Sequence, residues 1–126
     1  MITLPYRFML TGIVFALVGM CLGVWMGTTE NFTYAPVHAH INLVGWASMM
    51  LFGLWYRGEP QAASTALASV HYWVAVVGAV LLAIGIVGSV APNASLAIVV
   101  IPGALLTLIS MLIFLWVVWS SARKGM

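Results

Sequence analysis

Residues 67–89 read LASVHYWVAVVGAVLLAIGIVGS, a run without a single Asp, Glu, Lys or Arg. An α-helix rises about 1.5 Å per residue, so a run of this length crosses a hydrocarbon core of about 30 Å. Three further stretches of the same kind flank it, at about 8–27, 36–56 and 96–119. Between them lie only short breaks with turn chemistry: TTENFTYA, RGEPQAAST and APNAS. The composition agrees, with 64% hydrophobic residues, 5% charged residues and a mean hydropathy of +1.16. Soluble domains carry about 25% charged residues, so this chain has too little charge to cover a surface facing water. The expected fold class is an all-α membrane protein: one domain over residues 1–126 with four transmembrane helices in a lipid bilayer. The first stretch follows Arg7 as a signal peptide would, but it is too long for an h-region and no small-residue cleavage site follows it. It reads as a retained helix. Cys21 is the single cysteine, so no intrachain disulfide can form.

The basic residues predict the orientation. Arg7, Arg57, Arg123 and Lys124 fall before the first helix, between the second and third, or after the fourth. The other two connections carry no Lys or Arg, only Glu30. The positive-inside rule therefore predicts both termini in the cytoplasm of a bacterial inner membrane. Asn31-Phe32-Thr33 and Asn93-Ala94-Ser95 match the glycosylation sequon but read as chance matches. Four helices leave no room for a soluble domain and no expectation of a nucleic-acid partner. Function has to be carried by the helices, their connections and other copies of the chain.

Spacing of small residues predicts the helix contacts. Gly19, Gly23 and Gly27 form a ridge along the first helix, and Gly78, Gly85 and Gly88 a looser one along the third. Such ridges let backbones approach closely, and they also make room for a flat cofactor. Pro102-Gly103 predicts a kink inside the fourth helix. Trp116, Trp119 and the basic tail after them read as an interfacial anchor.

The chemistry rests on three histidines, His38, His40 and His71, in spans with no acidic or basic residue. Intramembrane histidines are costly and by default functional, and imidazole is a common ligand of metals and heme. Pro36 suits a first helical turn, which puts His38 and His40 at the start of the second helix. Two residues along a helix turn about 200°, so the two imidazoles point nearly opposite ways and cannot hold one metal together. His38 shares its face with Asn42, Gly45, Met49, Gly53 and Tyr56, whereas His40 shares its face with Val44, Ala47, Leu51 and Leu54. Distinct faces imply distinct contacts. His71 begins the third helix at the opposite surface, about 18 Å away along the bundle axis. It reads as an interfacial anchor, with a secondary site or proton relay as the other use.

APVHAHINLVGWASMMLFGLWYR (35–57), preceded by a helix ending GMCLGVWMG (19–27), resembles subunit I of the heme–copper oxidase superfamily. The C-type cytochrome c oxidases and nitric oxide reductases are nearest. The resemblance covers about residues 5–57 and implies that the four helices form one four-helix arc of that subunit. In the family, a histidine followed by x-Asn or x-Gln at such a place is an axial ligand of the low-spin heme b. This implies a heme b site with His40 as ligand, Asn42 beside it and His38 facing a second heme or a neighbouring subunit. The family's subunit has about twelve helices in three arcs, which implies a homotrimer here, with His40 of one copy and His38 of the next on one iron. The chain departs from the family in lacking the other copper-ligating histidines and any intramembrane carboxylate. One copy therefore does not encode an oxygen- or nitric-oxide-reducing center, and an enzymatic role stays open. The expected function is electron transfer or heme binding as a homo-oligomer with a respiratory redox partner. The alternatives are copper held by His38, His40 and sulfurs such as Met20, Cys21, Met26 or Met49, and an accessory or assembly role without a cofactor.

Overall fold

A computed structural model describes residues 1–91 and 93–124, and every regular element in it is helical. Four long apolar helices run up and down: α1 (Leu4–Thr29), α2 (Ala35–Gly58), α3 (Ala66–Val90) and α4 (Val100–Lys124). Each is long and apolar enough to cross a membrane. The first three helices extend past both ends of their predicted apolar runs, whereas α4 starts four residues inside its run and extends past only the far end. A short turn, Pro60–Ala63, bridges α2 and α3. Large apolar side chains face outward along all four helices, among them Val14, Leu51, Val70 and Leu112. That surface suits lipid and not water.

The ends of the helices have local causes. α1 stops where Glu30 adopts a left-handed conformation (φ 51°), with the amide of Asn31 donating to the Met26 carbonyl at 3.2 Å. Asn31 then accepts from the Thr33 amide and fixes the turn into α2. Thr65 caps α3 by accepting from the Ala68 amide. In the third connection Asn93 accepts from the Leu96 amide at 3.4 Å, while Pro92 lies outside the described residues. Both sequon asparagines are thus turn residues.

The predicted kink at Pro102 moves upstream. A helical turn at Ala94–Ala97 is followed by an interruption at Ile98 and Val99, and regular winding resumes at Val100. Pro102 has no N–H to give the Ile98 carbonyl four residues back, so the break falls there and Pro102 sits in the first turn of α4.

Glycines set the closest approaches. Gly78, Gly85 and Gly88 of α3 face Thr107, Val100 and Ala97, and Gly103 returns the contact against Leu81 and Leu82. On α1 the ridge in use is Gly12, Gly19 and Gly23, which meet Met49, Asn42 and His38 of α2. The predicted membership of Gly27 is corrected: a Cβ there would have nothing within 4 Å. Gly27 lies almost at the end of α1, beyond the first turn of α2.

All four helices meet in one aromatic cluster. Phe8 of α1, Phe52 and Tyr56 of α2, His71 and Tyr72 of α3, and Phe114 of α4 are joined by ring contacts of 4.6 to 6.3 Å. It lies toward the end of the bundle that carries the chain termini.

Candidate functional site

The first candidate site is the start of α2, APVHAHIN. Ala35–His40 winds as an α-helix, and Ile41–Ala47 then widens into a π-helix. Ser48 marks the change, its backbone amide bonding the Leu43 carbonyl and its hydroxyl donating to the same oxygen at 2.9 Å. Asn42 sits where the winding changes, and its side-chain amide donates to the His38 carbonyl at 2.8 Å. A side chain that takes a backbone acceptor competes with the ordinary four-residue ladder. π-helical turns recur at functional sites for this reason: they re-aim side chains within an otherwise regular helix.

The two imidazoles part as helical geometry requires. His38 turns toward α1, and its Nδ1–H donates to the Gly19 carbonyl at 2.8 Å. A carbonyl can only accept, so the tautomer carries its proton on Nδ1. Asn42 Nδ2 lies 3.3 Å from that nitrogen and 3.5 Å from Nε2. Donor facing donor excludes the shorter of these as a hydrogen bond, and the longer is weak. Gly19 and Gly23 leave room for the pair, since a Cβ at Gly19 would sit 2.7 Å from the Asn42 amide and one at Gly23 2.9 Å from His38 Cε1. The His38 ring is half-buried between two helices of its own chain.

His40 is exposed on the other side. Its Nδ1–H donates to the Pro36 carbonyl at 2.7 Å. The proton again sits on Nδ1, so the Nε2 lone pair is presented outward, and Leu43 beside it is also exposed. The predicted apolar face of His40 splits: Leu51 and Leu54 are exposed, whereas Val44 leans on the core. Extra residues per turn in the π segment rotate Val44 inward.

His71 is the residue that sequence reasoning placed least well. Expected at the interface, it is fully buried at 0% exposure. It lies five residues into α3, about 7.5 Å below the start of the helix, on the face that meets the other three helices. Its ring is stacked against Phe114 at 5.5 Å and met edge-on by Phe52 at 4.6 Å, with Phe8 at 5.2 Å. Nδ1 lies 3.0 Å from the Tyr56 hydroxyl, and Nε2 has no partner among the described residues. The spacing that pairs Tyr56 with His71 spans a turn and two helix ends, so no sequence period announces it.

Among the described residues no group of three or more His, Cys, Asp or Glu side chains converges. Of the sulfurs considered for copper, Met26 and Met49 are buried and Cys21 is exposed. No protein family, curated protein or solved structure matches the chain.

Proposed function

We propose that this chain is a heme b-binding membrane protein in which His40 supplies an axial imidazole, acting in electron transfer or heme binding as a homo-oligomer. The observation that carries the reading is the fixed ring of His40. Its Nδ1–H is committed to the Pro36 carbonyl at 2.7 Å, which leaves Nε2 as an outward lone pair on an exposed face. A ligating histidine needs this arrangement, with one nitrogen oriented by a backbone acceptor and the other free for iron. The motif resemblance to heme–copper oxidase subunit I names the same residue.

His38 commits its Nδ1–H to the Gly19 carbonyl in the same way, but its ring is half-buried between α1 and α2 with Asn42 Nδ2 3.5 Å from Nε2, so His40 of another copy would supply the second imidazole. Two identical ligands on one iron require a two-fold, isologous contact, in place of the two different faces a cyclic trimer uses. When bound, heme b supplies a one-electron couple, and two histidine ligands leave no open position for oxygen. The chain's own contribution is to hold the imidazole in one tautomer and to surround it with apolar surface. Arg7, Arg57, Arg123 and Lys124 support an orientation with both termini on the cytoplasmic side of a bacterial inner membrane.

The test is an absorption spectrum of the protein purified from heme-replete cells, oxidised and reduced. A Soret band is expected in wild type and in His38→Ala, and its loss in His40→Ala with helical content unchanged. No Soret band in wild type would sink the reading. A carbon monoxide-induced shift of the reduced spectrum would show a free axial position and favour an enzyme.

A further inference from the structure

Glu59 and Gln61 from the α2–α3 connection and Trp116, Ser120, Ser121 and Lys124 from α4 enclose a cleft of about 480 Å³ at the terminal end of the bundle. Ligand sites span roughly 300–1,000 Å³, so the cleft has the capacity of a small-molecule site. Its walls are graded. Leu67, Val117 and Trp116 lie on the side of the membrane core, while the charged and hydroxyl groups lie toward the helix ends. The cleft holds one carboxylate and one ammonium, and among the described residues the two form no salt bridge with each other. Glu59 spends no side-chain bond on capping either of the helices it joins. The Ser120 and Ser121 hydroxyls, unlike those of Ser64, Ser89 and Thr107, make no hydrogen bond to a described carbonyl.

Opposite charges that share a cleft without pairing suit a ligand that itself carries both charges. An anion alone would meet the Glu59 carboxylate, and a cation alone the Lys124 ammonium. We infer that this cleft binds a zwitterionic phospholipid headgroup of the phosphoethanolamine type. Its phosphate is received by Lys124 and the Ser120 and Ser121 hydroxyls, and its ammonium by Glu59. Lys and hydroxyl donors suit phosphate oxygens, and a carboxylate accepts from a primary ammonium. The lipid is favoured over the free headgroup because the Leu67–Val117–Trp116 side gives its glycerol and first methylenes an apolar wall. Trp116 and Trp119, with rings 5.1 Å apart, hold that wall at headgroup depth.

The experiment is native mass spectrometry of the full chain in detergent with short-chain phosphatidylethanolamine, phosphatidylglycerol and free O-phosphoethanolamine as probes. Wild type is expected to prefer phosphatidylethanolamine over phosphatidylglycerol by about tenfold, the discrimination one charge-assisted hydrogen bond delivers. Glu59→Gln is expected to erase that preference while keeping phosphatidylglycerol bound, Glu59→Asp to retain part of it, and Lys124→Gln to weaken both lipids. Both positions are exposed, so the variants keep the fold, which far-ultraviolet circular dichroism checks. Equal binding of the two lipids by wild type, or an unchanged preference in Glu59→Gln, overturns the inference. Free O-phosphoethanolamine binding as tightly as the lipid overturns the lipid assignment.

Discussion

A fully buried imidazole has few ways to satisfy two nitrogens, and His71 satisfies one. Whichever tautomer it holds, its one hydrogen bond among the described residues is with the Tyr56 hydroxyl, and the aromatic rings around it close the other edge. Leaving a buried polar group unpartnered costs about 1–3 kcal/mol, whereas removing both partners of a bond is nearly neutral. Tyr56→Phe should therefore lower unfolding stability in detergent by about 1–3 kcal/mol. His71→Leu in the Tyr56→Phe background should restore most of that loss. Denaturant titration of the four proteins measures the coupling, and simple additivity would show that the Tyr56–His71 bond contributes nothing. The contrast with His38 and His40 explains what the sequence could reveal at this scale. Their opposite directions follow from the rise and turn of a helix and were readable from HAH alone. What each ring faces was not, because the partner of His38 is a carbonyl on another helix and the ring neighbours of His71 come from the other three helices.

Helix positions were legible for the same reason that partner choice was not. An apolar run reports the thickness of its solvent, so all four spans fall where hydropathy puts them. Small residues at four-residue spacing report that a ridge exists, but the crossing point of the partner helix decides which of them it uses. Gly27 fits the spacing and has no neighbour, whereas Gly103, singled out only for its place beside Pro102, is wedged against the backbone of α3 at Leu81 and Leu82. A methyl group at Gly103 has to push that backbone aside, a kind of overpacking that costs about 1–3 kcal/mol. Gly103→Ala should be destabilised by about that amount, and Gly27→Ala should be unchanged or up to about 1 kcal/mol more stable from helix propensity. Thermal unfolding in detergent separates them, and equal effects would mean that the α3–α4 contact is looser than the backbone shows. The π-helical turn had no period of its own to betray it. Only Asn42, a polar residue able to take the His38 carbonyl, hints at it in hindsight.

At the scale of the whole molecule, four antiparallel helices bring both chain ends and the α2–α3 connection to one side, and the α1–α2 and α3–α4 connections to the other. On the first side every arginine rests on an aromatic ring: Arg7 on Tyr72 at 4.3 Å, Arg57 on Tyr6 at 5.8 Å and Arg123 on Trp119 at 4.9 Å. Such pairs hold the cations at the headgroup layer, where cation–π attraction and water both reach them. If those cations also set the orientation, single cysteines placed along the chain will report it. In a Cys21→Ser background, Ser64→Cys and Ala122→Cys should react with a membrane-impermeant maleimide only after the cells are broken. Thr33→Cys should react in intact spheroplasts. Reaction of Ser64→Cys and Ala122→Cys from different sides would break the four-span arrangement, and labelling of all three in the reverse sense would invert the orientation. Native Cys21 supplies an internal control. It is exposed on the lipid-facing side of α1 and eight residues short of the helix end, about 12 Å deep. A membrane-impermeant maleimide stays in water and does not reach a thiol at that depth in the hydrocarbon core. Wild type should therefore stay unlabelled from either side until detergent opens the bilayer.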